Sequence, residues 1–164
     1  MAYPPAEIHG DSVSPYSLCS TVAAAKAVGR ARGIGTVDVY VAATAGVPDA
    51  ALIDAIQRDL ESKREIAVDV QVKAPQTQTV DVSLALATTR DAAYETVKAE
   101  TERAVRAYFT GARLSKGALL SELYALLHEV EGLANYRVLA PAEDVAAQTT
   151  VLPVLGTLSI SALS

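Results

Sequence analysis

Four stretches of the chain carry β-branched or aliphatic residues at alternate positions: Thr36–Val41, Ile66–Val72, Val80–Leu86 and the terminal run Val151–Ser161. A strand that alternates in this way offers one apolar face to a core and a second face of different character. In the first stretch Val37, Val39 and Val41 point one way, and Asp38 and Tyr40 the other. Ile66, Val68, Val70 and Val72 form the second strand, which Pro75 ends, and Val80, Val82, Leu84 and Leu86 form the third. The gap between these two is too short for a helical crossover. They are either an antiparallel pair or one long strand, bent at Pro75, that passes between two sheets. Leu133–Leu139 and Thr157–Ala162 supply closing strands, separated by the small, polar loop Pro141–Thr150.

Helical spacing appears between the strands. The alanine-rich run inside Tyr16–Arg32 is helix-prone, with Leu18, Val22, Ala25 and Val28 on one side, and Gly29, Gly33 and Gly35 break it. Gly46-Val-Pro-Asp49 reads as a turn into a helix that reaches about Arg64, with Asp49 placed to accept from exposed amides. That helix turns Leu52, Ile53, Ile56 and Leu60 inward, while Asp54/Arg58 and Asp59/Lys63 form outward pairs of about 0.2–0.5 kcal/mol each. A helix over about Asp91–Thr110 lays Tyr94, Val97, Thr101, Ala104, Val105 and Tyr108 on one face. Another, over about Lys116–Glu131, uses Leu119, Leu120, Leu123, Leu127 and Val130, and Gly132 stands where a left-handed residue ends it.

The order is an initial helix followed by a ferredoxin-like β-α-β-β-α-α-β-β succession. It predicts an α+β fold of two small lobes, each with helices packed on mostly antiparallel sheet. Residues 1–15 hold Pro4, Pro5 and Pro15 without apolar periodicity, and read as an extended arm. Residues 16–75 form the helix plus β-α-β lobe, and residues 76–164 the β-α-α-β-β lobe.

Composition adds bounds. The 164 residues are enough for a real core, and with Phe109 the only phenylalanine and no tryptophan it is built from small aliphatic side chains. A net charge of −5, with scattered basic residues, argues against nucleic acid. No run approaches the ~18 apolar residues of a membrane span, and the N-terminus shows no signal pattern, so a soluble chain made in a cytoplasm is expected. Cys19, the only cysteine, excludes an internal disulfide and a thiolate-rich metal site.

No catalytic constellation emerges. Gly33-Ile-Gly35 precedes a strand, whereas phosphate-cradling glycines follow one and open a helix, so a plain turn is the better reading. His128 has only Glu131 at ligand-like spacing, His9 sits alone in the arm, and Cys19 lacks a partner motif. Asp11 and Asp38 could meet other carboxylates in space, but no motif supports it. The expectation is therefore no catalytic, cofactor-binding or metal residues. Tyr3, Tyr16 and Tyr40 are the candidate interface residues; Tyr40, opposite the valines, meets either a partner or the chain's own helix.

The segments Gly35–Val41, Val47–Leu52, Val68–Pro75 and Val80–Val82 follow one another in an order and spacing found in a known family. Tyr124, Val130–Gly132, Tyr136–Pro141 and the ending Leu152–Leu158 continue it. Together they resemble the middle and C-terminal parts of the baseplate J-like proteins of contractile-tailed phages and Mu-like prophages, from about Val28 onward. Members of that family are usually longer at the N-terminal side, and Glu65 stands where a proline is common. The chain is expected to be a short form, a remnant or an excised portion of such a protein. The resemblance implies a structural wedge subunit of a tail baseplate, without catalysis or cofactor. Its implied partners are other wedge, tube or sheath-associated tail proteins and further copies of itself, in the host bacterial cytoplasm during assembly and then in the virion tail. The competing expectation, from the β-α-β-β-α order alone, is a regulatory domain that binds a small molecule.

Overall fold

The computed structural model describes residues 21–163. The expected arm over residues 1–15, with Tyr3, His9 and Asp11, and also Tyr16 and Cys19, lie outside the described residues. The chain runs β1 (Val22–Gly29), β2 (Thr36–Ala43), α1 (Ala50–Lys63), β3 (Asp69–Lys73), β4 (Gln76–Thr88), α2 (Tyr94–Tyr108), a 3-10 turn (Gly111–Arg113), α3 (Leu120–His128), β5 (Leu133–Ala140) and β6 (Val151–Ala162). The strands make two sheets of three, ordered β1-β2-β3 and β5-β4-β6, and the fold is α+β.

One element differs in kind from its expectation. The alanine run after Thr21 is not a helix but strand β1, antiparallel to β2 from Ala24 opposite Ala42 through Gly29 opposite Val37. Alanine favours helix by a few tenths of a kcal/mol per residue over most alternatives. A run this short cannot sustain an isolated helix, and the ladder to β2 overrides the preference. The glycines that break the run build the hairpin turn, with φ of 125° at Gly33 and 79° at Gly35, and Arg30 donates its amide to Thr36 O at 2.7 Å.

The second strand is shorter than its alternation implies. β3 begins only at Asp69, and Ile66, at 101% exposure, stands outside the core in the preceding turn. β2, α1 and β3 form a crossover, which makes β3 parallel to β2 with Val39 beside Val72. Asp49 caps α1 as expected, its Oδ1 accepting from Leu52 N at 2.8 Å. Of the two outward pairs, Asp59–Lys63 closes at 2.7 Å, whereas the described ion pairs include Arg64–Glu61 in place of Asp54–Arg58. β3 is an edge strand, and α1 packs against it. Gln57 on α1 covers that edge: its amide nitrogen donates to Val70 O at 2.8 Å and its oxygen accepts from Val72 N at 2.7 Å. Unpaired edge groups invite further strands, and Gln57 occupies two of them.

Ala74 and Pro75 alone separate β3 from β4, and the two strands belong to different sheets. The bent strand passing between sheets is the alternative the molecule adopts. β4 is the centre of the second sheet, antiparallel to β5 and parallel to β6. Val80, Val82, Leu84 and Leu86 pack with Val105 of α2 and Leu127 of α3, and these six form the main buried cluster. Each sheet thus mixes one antiparallel and one parallel neighbour around its central strand. In the second, residues 141–150 carry the chain from β5 across to β6, and the crossing is pinned to the segment before α3: Ala118 bridges Val145, and Asp144 Oδ1 accepts from Leu120 N at 2.7 Å. α3 has no side-chain cap of its own, so this remote carboxylate takes that role.

The sheets meet at a small aliphatic cluster of Ala42, Leu114 and Leu152, with Ala24 and Val154 against it. The 3-10 turn lies in this junction. A Cβ on Gly111 would stand 1.9 Å from Ala43 O, so only glycine permits the approach.

Candidate interaction surface

Alternation along β2 places Thr36, Asp38 and Tyr40 on one face of the first sheet. The register adds Val28 and Lys26 from β1, and Asp69, Gln71 and Lys73 from β3. Tyr40 therefore has a lysine beside it on each neighbouring strand and is half-buried. The hairpin turn between β1 and β2 brings Arg32 over the same face.

Asp38 is the centre of this arrangement. It is 2% exposed, and it accepts from Arg32 Nε at 2.7 Å and from Lys73 Nζ at 2.5 Å. Arg32 also pairs through Nη1 with the Asp69 carboxylate, and its Nη2 donates to Asp69 O at 3.2 Å. Its own amide donates to Thr36 Oγ1 at 3.0 Å, and that hydroxyl donates to Gly33 O at 2.7 Å, which fixes the turn under the guanidinium. The hydrogen bonds from Arg32 first, and from Lys73 second, hold the Asp38 carboxyl below its ordinary range against the opposing effect of burial. The bond from Arg32 likewise lowers Asp69, and the bonds to Asp69 and Asp38 raise the guanidinium. A carboxylate made less basic in this way is a poor proton acceptor, so the arrangement is a charged clasp between β3 and the hairpin rather than an acid–base site.

A second polar strut joins α2 to α3. Tyr108 Oη donates to Glu122 Oε2 at 2.5 Å, and Arg113 Nη2 donates to the same oxygen at 2.5 Å and to Gly117 O at 2.5 Å. The Arg113 guanidinium lies 4.2 Å from the centre of the Tyr108 ring, within cation–π range. Burial, and then the bond to Glu122, push the Tyr108 hydroxyl up to about 12, while Arg113 holds Glu122 below its ordinary range. Each of these groups is tied to the others.

The sequence-derived candidates fare differently. Tyr40 lies on the polar face and away from the valines, as alternation implied, whereas Tyr3 and Tyr16 fall outside the described residues. Asp38 meets two cations rather than another carboxylate. His128 and Glu131 are both exposed, and among the described residues no group of three or more His, Cys, Asp or Glu is placed to hold a metal ion. No described helix is long and apolar enough to cross a membrane.

Sequence reading missed Arg32, Lys73, Arg113 and Glu122. Lys73 was within reach, since it alternates on the polar side of its strand, but its pairing with Asp38 depends on a parallel register across 35 positions. It also missed Gly156. A Cβ there would stand 2.3 Å from Asp81 Oδ1, which accepts from Thr157 N at 2.7 Å where the β4–β6 register shifts. The terminal Leu-Gly-Thr thus has a physical basis: glycine leaves room for the carboxylate that secures the irregularity.

Two family models match the chain. Residues 17–84 match the Baseplate J-like central domain, and residues 80–161 match the Baseplate J-like protein C-terminal domain. A comparison with curated proteins gives no match.

Proposed function

The chain belongs to the baseplate J-like family over residues 17–161, and we propose that it works as a wedge subunit of a phage or prophage tail baseplate. The family is one of structural components of phage tails, which makes the chain a baseplate component in the coarse sense. The wedge position, the contractile tail and action through protein–protein interfaces rather than catalysis extend that assignment.

The observation that carries the reading is the unbroken succession of the central and C-terminal domains along one chain. Their matches overlap at residues 80–84, just beyond the point where the strand passes from the first sheet to the second. On this reading residues 16–75 and 76–164 are two lobes. Neighbours pack against the Tyr40 face and the outer strands, with wedge, tube or sheath-associated proteins as the partners. A large amphipathic ring flanked by two lysines suits such a contact, because it offers apolar area and hydrogen bonding together.

The test is isolation of the tagged chain from cells that are assembling tails. Recovery of sheath, tube or other wedge proteins in constant proportion, reduced by Tyr40→Ser, is the expected result. Recovery of the chain alone while tails assemble contradicts the proposal.

A further inference from the structure

An open groove of about 1210 Å³ runs along α2 and is closed at one end by the turn that follows α3. Its floor is low and partly apolar: Ala104 and Ala107 lie on the later turns of α2, with Leu126 and Val130 opposite, while Thr96 and Glu100 line its earlier turns. Alanines spaced along a helix let a second helix approach at the short end of interhelical distances. The closed end is preformed, because Thr89 N donates to Gly132 O at 2.9 Å and a Cβ on Gly132 would stand 2.7 Å from Ala92 Cβ. Little reorganisation is needed to receive a ligand there.

The rim is acidic. Asp91, Glu100, Glu129 and Glu131 line it, and among the described residues Arg103, which pairs with Glu100, is the one cation in the lining. Glu129 is the C-terminal cap residue of α3 and Glu131 follows it. Carboxylates at a helix C-terminus face the negative end of the helix dipole, so this placement works against the stability of α3. A metal ion does not fit, because among the described residues no three such groups converge. Carboxylates spread along an apolar trough match a long partner with spread positive charge.

We propose that this groove receives an amphipathic helix of another protein, with a small apolar face and lysine or arginine along its flanks. The inference rests on the reading that the chain acts through interfaces, and it names the chemistry of one partner. The charges complement the rim, and the apolar face covers the alanine floor.

The test uses the full chain and a synthetic peptide of about five helical turns, with a Leu/Ala face flanked by lysines. Amide shift changes confined to α2 and residues 126–132, with affinity that falls as salt rises, are expected. Glu129→Lys with Glu131→Lys should weaken binding about tenfold without lowering Tm, since the reversal suits the α3 dipole. Ala107→Arg, at an exposed position on α2, should also weaken it. Asp54→Lys with Glu65→Lys, which changes net charge equally away from the groove, should leave binding intact. Absence of binding, equal weakening by both charge pairs, or equal binding of a glutamate-flanked peptide overturns the proposal. If the peptide fails while the chain still isolates with tail proteins, the groove inference falls and the functional reading stands.

Discussion

The first sheet keeps an almost fully buried carboxylate, Asp38, between Arg32 and Lys73, whereas the second keeps Leu84, Leu86, Leu123 and Leu127 at about 1% exposure with no charge among them. Among the described residues the first sheet has one helix, in which Leu52 alone is buried, and it supplements that packing with the Asp38 clasp and the Gln57 edge contact. The second has two helices over its central strand and relies on apolar area, which depends little on pH or salt. The two regions should therefore fail under different conditions, although they share the aliphatic junction at Ala42, Leu114 and Leu152.

The largest effect should come from the second sheet. Leu127→Ala opens a cavity in the main cluster and should cost about 3 kcal/mol in urea denaturation. A cost under about 1 kcal/mol would mean the core is looser than its burial implies. Gly111→Val comes next, because the added carbons meet the Ala43 carbonyl; about 2 kcal/mol is expected, with faster amide exchange on both sides of the junction. Exchange faster in only one sheet would show that the two regions do not depend on this contact.

Asp38→Asn should sharpen the contrast. The folded Asp38 carboxyl lies below its unfolded value, so its contribution is present above the ordinary carboxylate range and is lost as pH falls through the folded value. Amides of the first sheet should lose protection, read against the rate of an unstructured chain at the same pH, as the wild-type protein is taken below about pH 4, ahead of those in the second. In Asp38→Asn they should exchange faster already at neutral pH, with less further change on acidification. Equal acid sensitivity of the two sheets would remove the distinction. At the opposite extreme, the raised Tyr108 hydroxyl contributes below about pH 10 and loses that contribution as pH rises toward about 12. Tyr108→Phe should flatten that alkaline loss in a pH series of melting temperatures. The smallest effect is expected from Gly156→Ala, about 1 kcal/mol, from displacement of Asp81 and loss of its bond to Thr157 N. Asp81→Ala in the same chain should relieve the clash without restoring the bond.

Much of the fold was legible because β4 and most of β2 obey a period of two and α2 obeys 3.6. Val80 to Leu86 and Val97, Thr101 and Val105 sit inside as their spacing requires. β1 was not legible, because alanine's local preference favours helix and only the partner strand reverses it. Ile66 continued the apparent alternation of β3 by coincidence of spacing, yet it lies in a turn with no neighbour strand. The Asp38 clasp, the Asp144 cap on α3 and the Arg113–Glu122 pair join residues through tertiary geometry, and nothing in the local pattern announces them. The side of β2 on which Tyr40 stands was legible, because alternation alone decides which face of a strand a residue takes.

The most direct test of the assignment is immunogold electron microscopy of purified tails from cells that express the epitope-tagged chain. A structural baseplate component predicts gold at the end of the tail that carries the baseplate, on most particles. Complete tails without label, or label along the shaft or on the head, would contradict it.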